Sequence, residues 1–160
     1  MRKNGKLVLT ILTINYNARR VVTMVKLIMG MKGTGKTKRL VELVREAVAM
    51  ENGDVVCIEK EKKLTFDIPY QARLIEAGSY DIGSYEFIKG FICGLHSGNY
   101  DITHVFVDNF YKIVSNKDPV LFGEFLDWLE SFSVRENIEF VISVTIDPDT
   151  VGEAIRKYII

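Results

Sequence analysis

The chain has 160 residues, 48% of them apolar, which suffices for one compact core and leaves little for a second domain. Its 21 lysines and arginines balance 21 aspartates and glutamates, so no global field draws it to nucleic acid or to an anionic membrane, and neither is an expected partner. No apolar run reaches the roughly 18 residues that span a bilayer, and Cys57 and Cys93 have neither zinc nor redox spacing, which points to core thiols in a reducing cytoplasm.

Residues 1–23 stand apart as an N-terminal extension. A basic start and the apolar stretch Leu7 to Ile14 have the outline of a signal peptide, but Asn15, Tyr16, Asn17 and the Arg19-Arg20 pair replace its small-residue cleavage region. An edge strand, a disordered arm and a translation start at Met24 remain open. The last follows because Arg-Arg can be encoded by AGGAGG, a purine-rich sequence that bacterial ribosomes bind, shortly before that methionine.

From Met24 onward, short apolar runs rich in branched residues alternate with stretches of helical period. That pattern predicts one α/β domain over 24–160, a three-layer sandwich around a mainly parallel sheet. The first strand spans Val25 to Met29. A glycine-rich loop follows, then a helix over 36–50 with Leu40, Val41, Val44, Ala47 and Val48 on one face, closed by Asn52-Gly53. The second strand is Val55 to Ile58. The run Glu59-Lys60-Glu61-Lys62-Lys63 reads as a solvated turn, and a short strand over 72–75 is expected to form a hairpin with Leu64 to Phe66. A helix over 84–95 carries Tyr85, Phe87, Ile88, Phe91 and Ile92 as a core stripe. The third clear strand, Thr103 to Val107, ends at Asp108. Asp118-Pro119 caps a helix over 120–133, a strand runs from Ile138 to Val144, and Asp147-Pro148 opens a last helix towards Tyr158.

Gly30-Met31-Lys32-Gly33-Thr34-Gly35-Lys36-Thr37 matches G-x-x-x-x-G-K-[ST]. Glycines let the backbone curl so that successive N–H groups face an anion, and the helix that follows adds its own unpaired N–H groups and dipole. Lys36 is placed to reach the β- and γ-phosphates and Thr37 to ligate Mg²⁺. A strand-ending carboxylate, Asp108, supplies the metal's second anchor. Together GMKGTGKT and VFVDN resemble the Walker A and Walker B motifs of the P-loop NTPase superfamily, and the element order over 24–160 is most similar to the RecA-like branch, where one strand usually lies between the two motif strands. The layout is also similar to type II thymidine kinases, without their zinc-binding cysteine pairs or lasso.

The resemblance implies an ATP and Mg²⁺ site at the carboxyl ends of the strands. Lys36, Asp108 and Asn109 are the expected catalytic residues. Many hydrolytic members of that branch carry a water-activating glutamate where this chain has Asn109; a carboxamide orients water but accepts no proton, so slow turnover or a nucleotide-dependent switch is expected. Glu124, Glu130 and Glu139 are other carboxylates of the chain that nothing in the sequence draws to the site. Ser143 and Thr145 would contact the γ-phosphate if their strand lay between the motif strands, and Lys32 could add a phosphate contact. Two other readings stay open. One is a nucleoside-type kinase with an acceptor pocket lined by Tyr70, Arg73, Tyr80 and Tyr85; the other is a nucleotide-sensing subunit that reports to a protein partner or a second copy. His96 and His104 lack metal-ligand spacing.

Overall fold

A computed structural model describes residues 23–160. The expectations for residues 1–22 lie outside the described residues. Five strands, β1 (Val25–Gly30), β2 (Asp54–Glu59), β3 (Arg73–Glu76), β4 (Ile102–Val107) and β5 (Glu139–Thr145), form one sheet in the order β1-β5-β4-β2-β3. Every neighbouring pair is parallel, and β5 sits between β1 and β4.

Alternation along the strands distributes the side chains to two faces. Helix α1 (Lys36–Ala49) covers one face, where Leu40, Val41, Val44 and Ala47 meet Ile28, Val55, Cys57, Phe106 and Val141. Burying each of its leucine and valine side chains is worth roughly 1.5–3 kcal/mol. Leu64, Ile68 and Ala72 from the β2–β3 connection complete that layer. The opposite face carries α2 (Tyr85–Gly98), α3 (Phe110–Ile113), α4 (Pro119–Glu136) and the short α5 (Glu153–Arg156). Its centre is aromatic: Phe110 stacks on Phe125 at 5.0 Å and lies 5.4 Å from Phe122. The arrangement is three layered, with helices on both faces of an all-parallel sheet.

The predicted caps form: Asp118 accepts from Val120 N–H ahead of Pro119, and Asp147 accepts from Asp149 N–H ahead of a short turn. Ser84 adds a cap the sequence reading did not name, accepting from the Phe87 N–H at the start of α2. Other expectations are corrected. Residues 64–66 form no strand; Leu64 O accepts from the N–H groups of Asp67 and Ile68, closing a turn, and β3 instead pairs parallel to β2. The last helix breaks into a 3-10 turn at Pro148–Thr150 and α5, because Val151 is extended and Gly152 opens a new helical turn. The α2 stripe is core only at Tyr85, Ile88 and Ile92, whereas Phe87 is exposed. Helix α1 ends at Ala49, and it is Glu51, not the Asn52-Gly53 pair alone, that takes a left-handed conformation after it.

Candidate functional site

The glycine-rich segment leaves β1 at the carboxyl end of the sheet and enters α1. Gly33 and Gly35 have φ of 85° and 83°, the left-handed region that glycine adopts at no steric cost. A side chain at Gly30 would collide with Thr34 Oγ1, 2.5 Å from where its Cβ would stand. The loop is therefore a tight curl that these glycines permit. Gly35 caps α1 with no side-chain bond, so the first N–H groups of that helix stay free of an internal partner. Lys36 Nζ spans the curl to Met31 O at 2.7 Å, and Thr34 Oγ1 donates to the same carbonyl at 2.8 Å. Burial holds the Lys36 ammonium below the usual lysine range, and the charge of Asp108 acts in the opposite sense.

Opposite the curl, Asp108 directly follows β4. Thr37 Oγ1 donates to Asp108 Oδ1 at 3.0 Å, joining residues 71 positions apart. Ser143 on the intervening β5 donates to that oxygen at 2.8 Å and accepts from Asn109 N–H at 2.7 Å. Lys32, Gly33, Gly35, Lys36, Thr37, Lys38, Asn109, Ser143 and Thr145 enclose a cavity of about 370 Å³. Cations, uncapped helix N–H groups and a curled backbone make that space suited to an anion. A hydroxyl and a carboxylate 3.0 Å apart at its edge are hard oxygen donors of the kind Mg²⁺ takes. Among the described residues no cluster of three or more His, Cys, Asp or Glu side chains occurs. Mg²⁺ needs none, since it usually keeps several waters and takes one or two carboxylates beside substrate phosphates.

All eight residues of the predicted loop and Asp108 thus meet at one end of the sheet. Asn109 joins them, but its conformation carries a different message. It lies at φ 50°, ψ 63°, in the left-handed region, and turns the chain from β4 into α3 without a side-chain capping bond. Asparagine is among the few side chains that tolerate this region, where glutamate is strained. Its identity follows from the backbone as much as from any chemistry.

Glu59 is the residue that sequence reasoning missed. Grouped with the solvated charge run, it is instead the last residue of β2 and only 3% exposed. Its carboxylate accepts from Lys63 N–H at 3.0 Å and from Leu64 N–H at 3.2 Å, which satisfies it without a cation. Glu59, Asp108, Asn109 and Lys112 line one small cavity, and Asp108 N–H bonds Ile58 O. Burial raises the Glu59 pKa, and the neighbouring carboxylates Asp108 and Glu76 add to the rise against those two backbone bonds. The only signal in the sequence was its place directly after Val55 to Ile58.

Other candidates lie elsewhere. Glu124 and Glu130 sit on α4, and Glu139 pairs with Lys26 at 2.7 Å at the opposite end of the sheet. Tyr70 is 93% exposed, and Tyr85 is buried with its hydroxyl on Asn116 O. Arg73 and Tyr80 face an open groove with Phe87 and Phe91 beside β3. The four residues of the expected acceptor pocket are not brought together. His96 packs against Tyr100 and Phe132, and His104 Nδ1 lies 2.9 Å from Thr103 Oγ1, with burial lowering the His104 pKa. Arg39, exposed on α1, donates to Ile160 O at 3.1 Å. No helix among the described residues is long and apolar enough to cross a membrane. No protein-family model matches the chain, and a search of the curated proteins finds no match.

Proposed function

We propose that the chain binds a nucleoside triphosphate, ATP in the first instance, with Mg²⁺ in the cradle at Gly30 to Thr37, and hydrolyses it slowly as a nucleotide-dependent switch. The observation that carries this reading is the 3.0 Å bond between Thr37 and Asp108, which puts a loop hydroxyl and a strand-end carboxylate together at the mouth of an uncapped helix. The position of β5 between β1 and β4 supports a P-loop NTPase of the RecA-like layout. Two free cysteines, one buried and one exposed, fit a reducing cytoplasm.

In this reading the loop N–H groups and Lys36 hold the phosphates, while Thr37 and Asp108 hold the metal directly or through water. Bound Mg²⁺ would neutralise charge on the β- and γ-phosphates. Glu59, beside Asp108 and with a raised pKa, is the group suited to take a proton from an attacking water. The water oxygen bonds to the γ-phosphorus, the bond to the β-bridging oxygen breaks, and the water's proton passes to the Glu59 carboxylate. Asn109 lines the cavity from the neighbouring turn and orients that water. The bonds from Lys63 and Leu64 N–H hold the Glu59 carboxylate in place and favour its charged form, which weakens it as a base and fits slow turnover.

Isothermal calorimetry with ATP and Mg²⁺ tests the reading. Wild type should bind, and Lys36→Ala should weaken binding by about 10- to 100-fold, the loss of a charge-assisted hydrogen bond. Absence of heat with wild type at millimolar ATP would refute it.

A further inference from the structure

Ser143 is fully buried, yet polar and at the centre of the site. A serine hydroxyl has one proton to give and two lone pairs to receive with. The proton goes to Asp108 Oδ1 at 2.8 Å, and Asn109 N–H occupies one of the lone pairs at 2.7 Å. The first bond restrains rotation of the Asp108 carboxylate; the second pins the backbone at the left-handed turn that immediately follows it. Thr37 donates to the same oxygen, so Oδ1 already receives two bonds. With its proton committed, Ser143 has nothing to donate to a phosphate.

We propose that Ser143 is a positioning residue for Asp108, aiming the carboxylate at the metal, and not a contact to the γ-phosphate as the sequence alone suggested. The inference rests on the nucleotide–Mg²⁺ reading of the cradle. Mg²⁺ demands near-octahedral geometry, so a carboxylate free to swing holds it or its water poorly. Groups that orient a ligand from behind typically change metal affinity by about 10- to 100-fold when removed.

The experiment is a titration of Mg²⁺ against protein with saturating ADP or ATP, beside nucleotide affinity in excess chelator. In Ser143→Ala, Mg²⁺ affinity should fall about 10-fold with either nucleotide, while metal-free nucleotide affinity stays at the wild-type value. An unchanged Mg²⁺ affinity overturns the proposal, and so does a loss confined to ATP, which would mark a γ-phosphate contact. If Ser143→Ala loses metal-free binding as well, Ser143→Cys, which keeps the branching and a weaker donor in a slightly larger side chain, reads the same ratio; an unchanged ratio there overturns the proposal too. Failure of wild type to bind either nucleotide, with or without metal, has a separate signature and removes the nucleotide reading itself.

Discussion

Replacing Asn109 isolates one conformational cost. The residue sits at φ 50°, ψ 63°, and its side chain makes no capping bond, so truncation removes no cap. Its backbone N–H bonds Ser143 Oγ whatever side chain is present. An ordinary L-residue pays about 1–2 kcal/mol in the left-handed region, and asparagine is among the side chains that visit it most readily. Asn109→Ala and Asn109→Glu should therefore each destabilise by roughly 1 kcal/mol, a fall in melting temperature of about 2–4 °C for a chain of this size. Asn109→Gly removes the steric conflict but gives the unfolded chain roughly 0.5–1 kcal/mol more entropy to lose, and should lie near wild type. Urea titration at constant slope reads all three. Alanine and glutamate variants as stable as wild type, with glycine the least stable, would refute the conformational account. The same glutamate variant should gain little ATPase activity, because its carboxylate starts from a strained turn.

Glu59→Gln should lower steady-state ATP turnover by about 10²- to 10⁴-fold with ATP affinity retained, measured by phosphate release; equal turnover would remove Glu59 from the proposed mechanism. The same variant tests its burial by pH. Burial raises the Glu59 pKa above the ordinary value of 4.5, so the folded chain binds this proton more tightly than the unfolded one. Its contribution to stability is full below pH 4.5 and is lost as pH rises through the folded value, so Glu59→Gln should gain melting temperature relative to wild type over that rise. Parallel curves would sink the argument. Phe110→Ala, at a fully buried ring against Phe122 and Phe125, should cost about 3–5 kcal/mol in urea unfolding, and a cost under 1 kcal/mol would show that the aromatic layer collapses to fill the space.

The parts of the site that were legible in the sequence are those whose signals are local. Glycine spacing from Gly30 to Gly35 writes the curl directly, and Asp118 and Pro119 mark a helix start within a few residues. Asp108 was legible as a strand-ending acid, but its distance from Thr37 depends on β5 lying between β1 and β4, which no local pattern encodes. Glu59 was hidden for two reasons. Four charged neighbours masked the point where β2 ends, and its partners are backbone amides, which leave no mark in a sequence. The parallel pairing of β3 was missed because four residues carry little periodicity and the direction is set by the long connection preceding it. At Asn109 the side chain was visible and the backbone angle was not, so the left-handed turn went unread.

Order of manufacture adds a constraint to this topology. Lys26 and Glu139, which pair at the start of β1 and β5, are 113 positions apart, so among the described strands the first to be translated waits for the last. The final residues close over it as well, with Leu27 N–H bonded to Tyr158 O and Ile160 N–H to Leu27 O. Until β5 is translated, β1 and β4 have no shared neighbour, and Thr37 cannot meet Asp108. A nascent chain stalled before Ile138 should carry both halves of the cradle without the strand that joins them, which ties its assembly to the translation of β5.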